Sequence, residues 1–202
     1  MAKNLKADQR KEVTIESVVQ LCSEQDPATI TTAGIAQKMK LTQGALFRHF
    51  SSKEAVWVAV IEWVAQKLLS KVTKAVDENA SKLEQLEAMF LAHIDFVCEH
   101  PGAPRILLSQ LQKQDSSRSR RLVKAILTLY RERIEEIVID GIQQKEIRNN
   151  LSPDAVATHY VGLVQGIVIR HLLASGVDKT KSIAKEQFAI FRQGITANPS
   201  IS

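Results

Sequence analysis

The residues that interrupt regular structure are scarce. Eight glycines and five prolines stand among 202 residues, about half the share usual in proteins. Few breakers mean few turns, which excludes a fold of many short strands and favours long helices. Cysteine is also rare. Cys22 and Cys98 are too few for a disulfide framework or a four-ligand zinc site. Each falls among apolar helical neighbours and reads as a small buried hydrophobe. No hydrophobic run is long: the most apolar stretch read from the sequence, 55–69, is interrupted by Glu62, Gln66 and Lys67 and is too short and charged to span a bilayer. The first ten residues are polar and lack the apolar segment of a secretory signal. The expectation is a cytoplasmic protein without a membrane partner. A glycine-rich phosphate loop, a G-x-S-x-G elbow and a paired metal-ligand motif are all missing, so neither enzyme activity nor a metal or cofactor is expected.

What is present fits a globular chain. Hydrophobic residues make up 45% and charged residues 24%, which excludes a disordered polymer. The net charge of +5 suits an anionic partner without establishing one.

Apolar residues recur with the helical period almost throughout. Ile15, Val18, Val19 and Cys22 mark a first helix ending near Gln25, before Asp26-Pro27. Two short segments follow, 33–39 and 42–49. Ser51 to Glu54 reads as a capping box, with Ser51 as N-cap, opening a long helix striped by Trp57, Val60, Ile61, Val64 and Leu68. Ser81 to Glu84 repeats the pattern ahead of Leu86, Phe90, Ile94 and Val97. His100-Pro101 ends that helix. A short helix over 105–112, a polar loop over 114–119 and a long helix reaching Asn149-Asn150 come next. Ser152-Pro153-Asp154 combines a cap, a proline at the first turn and an acid at the positive end of the helix dipole. That helix stops at Gly176, and a last one covers 180–195. The fold class is all-α, with about nine helices: a three-helix, helix-turn-helix head over residues 1–53, and a larger helical-bundle body over 54–202.

The most specific stretch is 30–54, ITTAGIAQKMKLTQGALFRHFSSKE. Two helices of eight residues or fewer cannot stand alone, because nucleation costs more than so few bonds return. They must lean on each other and on the first helix, Ile35, Ala36 and Met39 facing Leu41, Leu46 and Phe50. Two short helices joined by a tight turn make a helix-turn-helix, whose second helix fits the major groove. From Lys38 to Lys53 the cations are Lys38, Lys40, Arg48 and Lys53, with no acid between them. A duplex can approach that surface without like-charge cost.

Thr31-Thr32 before Ile35-Ala36, then Leu41-Thr42-Gln43-Gly44-Ala45-Leu46-Phe47-Arg48-His49-Phe50, then Ser52-Lys53-Glu54, resembles the DNA-binding head of the tetracycline-repressor-like (TetR) family. The motif covers about 25 residues; the remaining chain is similar to the family in length and helical layout. The resemblance implies contacts with double-stranded DNA. Thr31 and Thr32 match the phosphate-facing start of the first motif helix. Thr42, Gln43, Gly44 and Ala45 match the opening of the recognition helix. Gln43 is the candidate base reader, since a glutamine amide pairs bidentately with adenine, and Ala45 is placed to meet a thymine methyl. His49 and Lys53 match phosphate-binding positions. Phe47 stands where the family usually has a tyrosine, so that phosphate contact is lost, and Arg48 is available to compensate. Lys40 stands where the family's turn usually has glycine, which implies a strained or altered turn. Gly34 weakens its short helix by up to about 1 kcal/mol.

The resemblance further implies a homodimer through residues 153–195, two heads on a palindromic operator, and a repressor released by a small apolar or amphipathic effector. The long helix that opens at Ser52 is the natural lever between head and body. A ligand pocket would be lined by Phe90, His93, Ile94, Val97, Leu107, Leu111, Tyr130 and Ile134, all of which equally suit an ordinary core. Trp57 and Trp63 read as packing residues, and His159 and His171 as core or interface histidines. His93 and His100 lack further ligands at metal spacing. The alternative is a DNA-bound helical protein that works through a protein partner, such as a nucleoid or division factor, without a small-molecule ligand.

Overall fold

A computed structural model describes residues 7–114, 116–173 and 177–197. Among these the chain is all-α, with nine helices and no strand. They are α1 (Ala7–Glu24), α2 (Thr32–Lys38), α3 (Gln43–Phe47), α4 (Lys53–Ala75), α5 (Lys82–Glu99), α6 (Gly102–Gln112), α7 (Arg118–Gln143), α8 (Pro153–Leu173) and α9 (Val177–Ile195). The chain separates into two compact units: residues 1–67 with 100–126, and residues 68–99 with 127–202. The expected helix stop at Gly176 lies outside the described residues.

In the first unit α1 buries Ile15, Val18, Val19 and Cys22, the stripe read from the sequence. It packs against α6 and α2, and α2 against α3. The α1–α6 contact is backbone-close: a Cβ on Gly102 would lie 2.0 Å from the Val19 carbonyl oxygen, so only glycine allows this approach. Helix α6 begins at Gly102 rather than near 105, because Pro104 sits in its first turn, where a missing N–H costs nothing. Trp57 and Trp63 are both buried.

The capping box expected at Ser51 forms differently. Ser52 is the cap: its Oγ accepts from the Ala55 N–H at 3.1 Å and its carbonyl from the Val56 N–H at 3.2 Å. Glu54 faces elsewhere, its Oε1 accepting from the Ser119 N–H at 2.9 Å. At α5 the same sequence pattern does close. The Glu84 carboxylate accepts from the Ser81 N–H, and the Ser81 Oγ accepts from the Glu84 N–H. The bonds from Ser81 hold the Glu84 carboxyl below its ordinary pKa.

Helix α7 stops at Gln143, six residues before Asn149. Lys145 takes a left-handed backbone, φ 60°, and the Lys145 and Glu146 N–H groups bond to the Ile142 and Gly141 carbonyls. This is the Schellman ending, with lysine in the usual glycine place. The following segment makes an isolated antiparallel bridge, Ile147 to Thr196. The Glu146 carboxylate accepts from the Lys82 and Leu83 N–H groups at the start of α5.

In the second unit α5, α8 and α9 pack on one another around Phe90, Tyr160, Phe188 and Phe191, whose rings meet edge-on or tilted. Helix α8 is 21 residues long with mean hydropathy 1.2, which by length and composition is enough to cross a membrane. Its inner face, Tyr160, Val164 and Ile167, is buried.

Two buried polar contacts lie in this core. The Tyr160 hydroxyl donates to the Leu86 carbonyl at 3.1 Å, and Tyr130 Oη lies 3.0 Å from His93 Nδ1, the rings meeting edge-on. Burial pushes the half-buried His93 down to about 4 from the ordinary 6.5. The unfolded chain therefore takes up the proton first as pH falls. Stability carried by the neutral ring is complete above about 6.5 and is lost down to about 4, by at most about 3 kcal/mol. Denaturant unfolding at pH 7 and pH 4.5 is expected to show a smaller loss for His93→Gln, which does not titrate, than for the unaltered protein; equal losses would contradict this assignment.

Candidate nucleic-acid interface

Helices of seven and five residues need sealed ends, and both receive them. Thr31 is the N-cap of α2, its Oγ1 accepting from the Gly34 N–H at 3.0 Å. Thr42 is the N-cap of α3, its Oγ1 accepting from the Ala45 N–H at 3.2 Å. A hydroxyl has two acceptor sites and one donor. Capping occupies one acceptor site and leaves the O–H free to donate to a phosphate oxygen.

The turn between them is a second Schellman ending. Lys40 has φ 55°. Its N–H bonds to the Gln37 carbonyl and the Leu41 N–H to the Ala36 carbonyl, at 3.0 and 2.9 Å. The strained turn expected at Lys40 is therefore present. It directs the chain so that Leu46 and Phe50 are buried beside Ile35 and Ala36.

The opposite side of α3 faces solvent. Gln43, Gly44, Phe47 and Arg48 are exposed, Ala45 and His49 half-buried, and Lys53 is exposed at the first turn of α4. Phe47 shows 44% of its surface, a large apolar ring with no hydroxyl. Helix α3 ends at Phe47 rather than His49. Gln43 Nε2 donates to Thr32 Oγ1 at 2.7 Å, a bond between helices that the sequence did not announce. It is exposed, so releasing it costs about 1 kcal/mol. Lys38, one of the four expected cations, is held by both carboxylate oxygens of Glu24 at 3.0 and 3.1 Å. Lys11 Nζ lies 5.8 Å above the Phe50 ring.

The expected pocket residues fall differently. Phe90, Ile94, Val97, Tyr130 and Ile134 are buried core side chains of the second unit, with His93 paired to Tyr130 beside them. Leu107 and Leu111 belong to the first unit. His100 meets Trp63 edge-on. His159 is exposed and stacks on Phe191. His171 pairs with Thr180 at 3.0 Å.

The pattern of bacterial regulatory proteins of the tetR family matches residues 15–60, and that of the tetracyclin repressor-like C-terminal domain matches residues 79–195. The chain belongs to the tetR family, and is a DNA-binding transcriptional regulator. Among its relatives is a nucleoid occlusion factor SlmA of Marinomonas sp. (strain MWYL1), 20% identical and covering 96% of this chain and 98% of its own. The SlmA of Vibrio vulnificus (strain YJ016) is 26% identical over 84% of this chain and 87% of its own. The fold is shared with the ketosteroid transcriptional regulator KstR2 of Mycobacterium tuberculosis, with a TM-score of 0.76, 20% identity and coverage of 94% and 96%. It is also shared with a tetR-family regulatory protein from Rhodococcus RHA1, with a TM-score of 0.80, 14% identity and coverage of 97% and 100%.

An L-residue in the left-handed region costs roughly 1 kcal/mol that glycine does not pay. Lys40→Gly is accordingly expected to raise the stability of the head by up to about 1 kcal/mol, measured by thermal or denaturant unfolding. A destabilised variant would show that Lys40 makes contacts outweighing its strain.

Proposed function

We propose that the chain acts as a homodimer whose two heads read a palindromic duplex, with Gln43 as base reader and repression as its default output. The observation that carries this is the outward face of α3, where exposed Gln43, Gly44, Phe47 and Arg48 sit on a helix capped at both ends. Thr31, Thr32, Thr42, His49 and Lys53 border it as phosphate contacts, and Ala45 lies at its edge. Phe47 supplies apolar contact with a thymine methyl in place of a hydroxyl on a phosphate.

The dimer reading is supported by α8 and α9. Gly162, Gly166, Ile169 and Leu173 fall on one stripe of α8 and all are exposed, Leu173 by 84%. A Cβ on either glycine would meet nothing within 4 Å. On α9 Ile190 is 64% exposed. Small residues flanked by bare apolar ones suit the close approach of a second copy, which also accounts for the hydropathy of α8 without a bilayer. The site of action is the cytoplasm, and no catalytic role is assigned.

Release by a small apolar or amphipathic effector would require an opening in the core around Phe90, His93 and Tyr130. The second reading, action through a protein partner on DNA, is favoured by the nucleoid occlusion factors that align with the chain over nearly its whole length. Both readings share the head.

Selection of bound sites from random duplex DNA tests the shared part. The expected result is an inverted repeat with half-sites about one helical turn or more apart. Gln43→Ala is expected to weaken binding by roughly 1–3 kcal/mol and to relax preference at one base pair of each half-site. Recovery of no common site, or unchanged preference in the variant, would overturn the assignment. Occupied sites concentrated at promoters favour regulation, and sites scattered without regard to promoters favour the second reading.

A further inference from the structure

Glu54 follows Lys53 at the start of α4, one residue from a phosphate-contact position. In the local pattern it belongs to a capping box, but it takes no part in one. Its Oε1 accepts from the Ser119 N–H in the first turn of α7 at 2.9 Å, and its Oε2 lies 4.0 Å from Lys113 Nζ just beyond α6. The Ser119 side chain, fully buried, donates from Oγ to Oε1 of the buried Gln110 on α6 at 2.8 Å. One carboxylate thus joins the beginnings of α4 and α7, and Ser119 passes the join on to α6. All of these residues lie in the first compact unit. Lys53, Glu54, Trp57, Gln110 and Lys113 also border a single groove of about 450 Å³, so the join lies open to solvent along one side.

We infer that Glu54 is a positioning residue for DNA binding: it fixes the angle at which α4 presents Lys53 by sealing the exposed N-terminus of α7. The inference rests on the DNA-reading assignment of the head and deepens it. A carboxylate suits this task because its charge favours the positive end of a helix and its oxygens accept from backbone N–H groups without needing a proton of their own. Disturbing the polar segment before α7 would free α4 at its DNA end, which makes the Glu54–Ser119 contact a coupling point within this unit.

The inference makes a prediction of unusual sign. Glu54 is an anion beside a phosphate-binding lysine. Its removal should by charge alone strengthen binding to a polyanion. If Glu54 positions α4, its removal weakens binding instead. The test uses the full-length protein and the tightest duplex recovered from a random library, titrated at several salt concentrations. Glu54→Ala is expected to lose at least fivefold in affinity. Glu54→Gln, which keeps an oxygen to accept from the Ser119 N–H, is expected to bind within about twofold of the unaltered protein or more tightly. The salt dependence of Glu54→Ala should fall toward that of Lys53→Ala, which lowers the slope by about one, because a misdirected α4 no longer holds Lys53 on its phosphate. Circular dichroism melts verify that each variant is folded at the titration temperature. Should Glu54→Ala prove unfolded there, Ser119→Pro, which removes the N–H at a first-turn position that tolerates proline, serves as the second variant with the same expected loss. Unchanged or tighter binding by a folded Glu54→Ala overturns the positioning role while leaving the DNA assignment standing. Full affinity retained by Lys53→Ala and Gln43→Ala together would overturn the assignment of the reading face to α3 and the start of α4, whereas failure to recover any duplex would overturn the DNA reading itself.

Discussion

The closing of helix ends governs this molecule. Helices of seven and five residues gain too few internal hydrogen bonds to offset their nucleation cost. The exposed face of α3 therefore exists only because Thr31 and Thr42 supply acceptors at two N-termini and Lys40 turns the chain between them. The same requirement shapes the longer helices. Ser52 closes α4, Ser81 with Glu84 closes α5, and Ser152 opens α8. Two glutamates act at a distance: Glu54 on the first turn of α7 and Glu146 on that of α5.

Which of these could be read in the sequence follows from how local each one is. The Ser81–Glu84 box and the Ser152-Pro153 start are complete within four residues, and both stand where the pattern put them. Ser51 and Glu54 have the same spacing, but a backbone N–H distant in sequence competes for Glu54, so the cap moves to Ser52. Helix C-termini were harder, because glycine is the usual mark and this chain has little of it. At Lys40 the motif's resemblance supplied the missing signal. At Lys145 nothing does, and the helical period runs on for six residues beyond the end of α7 at Gln143. The Gln43–Thr32 bond depends on the angle between α2 and α3, which no spacing encodes. The candidate pocket rested on helical stripes alone, and stripes do not distinguish a side chain facing a cavity from one packed in a core.

The body carries a different kind of constraint. Its buried polar contacts, Tyr160 with the Leu86 carbonyl and Tyr130 with His93, tie α8 and α7 to α5 in the second unit. Satisfied buried networks specify one packing over others. The outward face of α8 exposes Gly162, Gly166, Ile169 and Leu173, and in the dimer we propose this face meets the second copy.

In the reading we propose, α3 lies in the major groove with Gln43 on a base edge. A crystal structure of the protein bound to its selected duplex measures this directly. The Gln43 amide is expected to have left Thr32 and to lie within hydrogen-bonding distance of a base. A complex in which α3 stays outside the groove, with the Gln43–Thr32 bond intact, would contradict it.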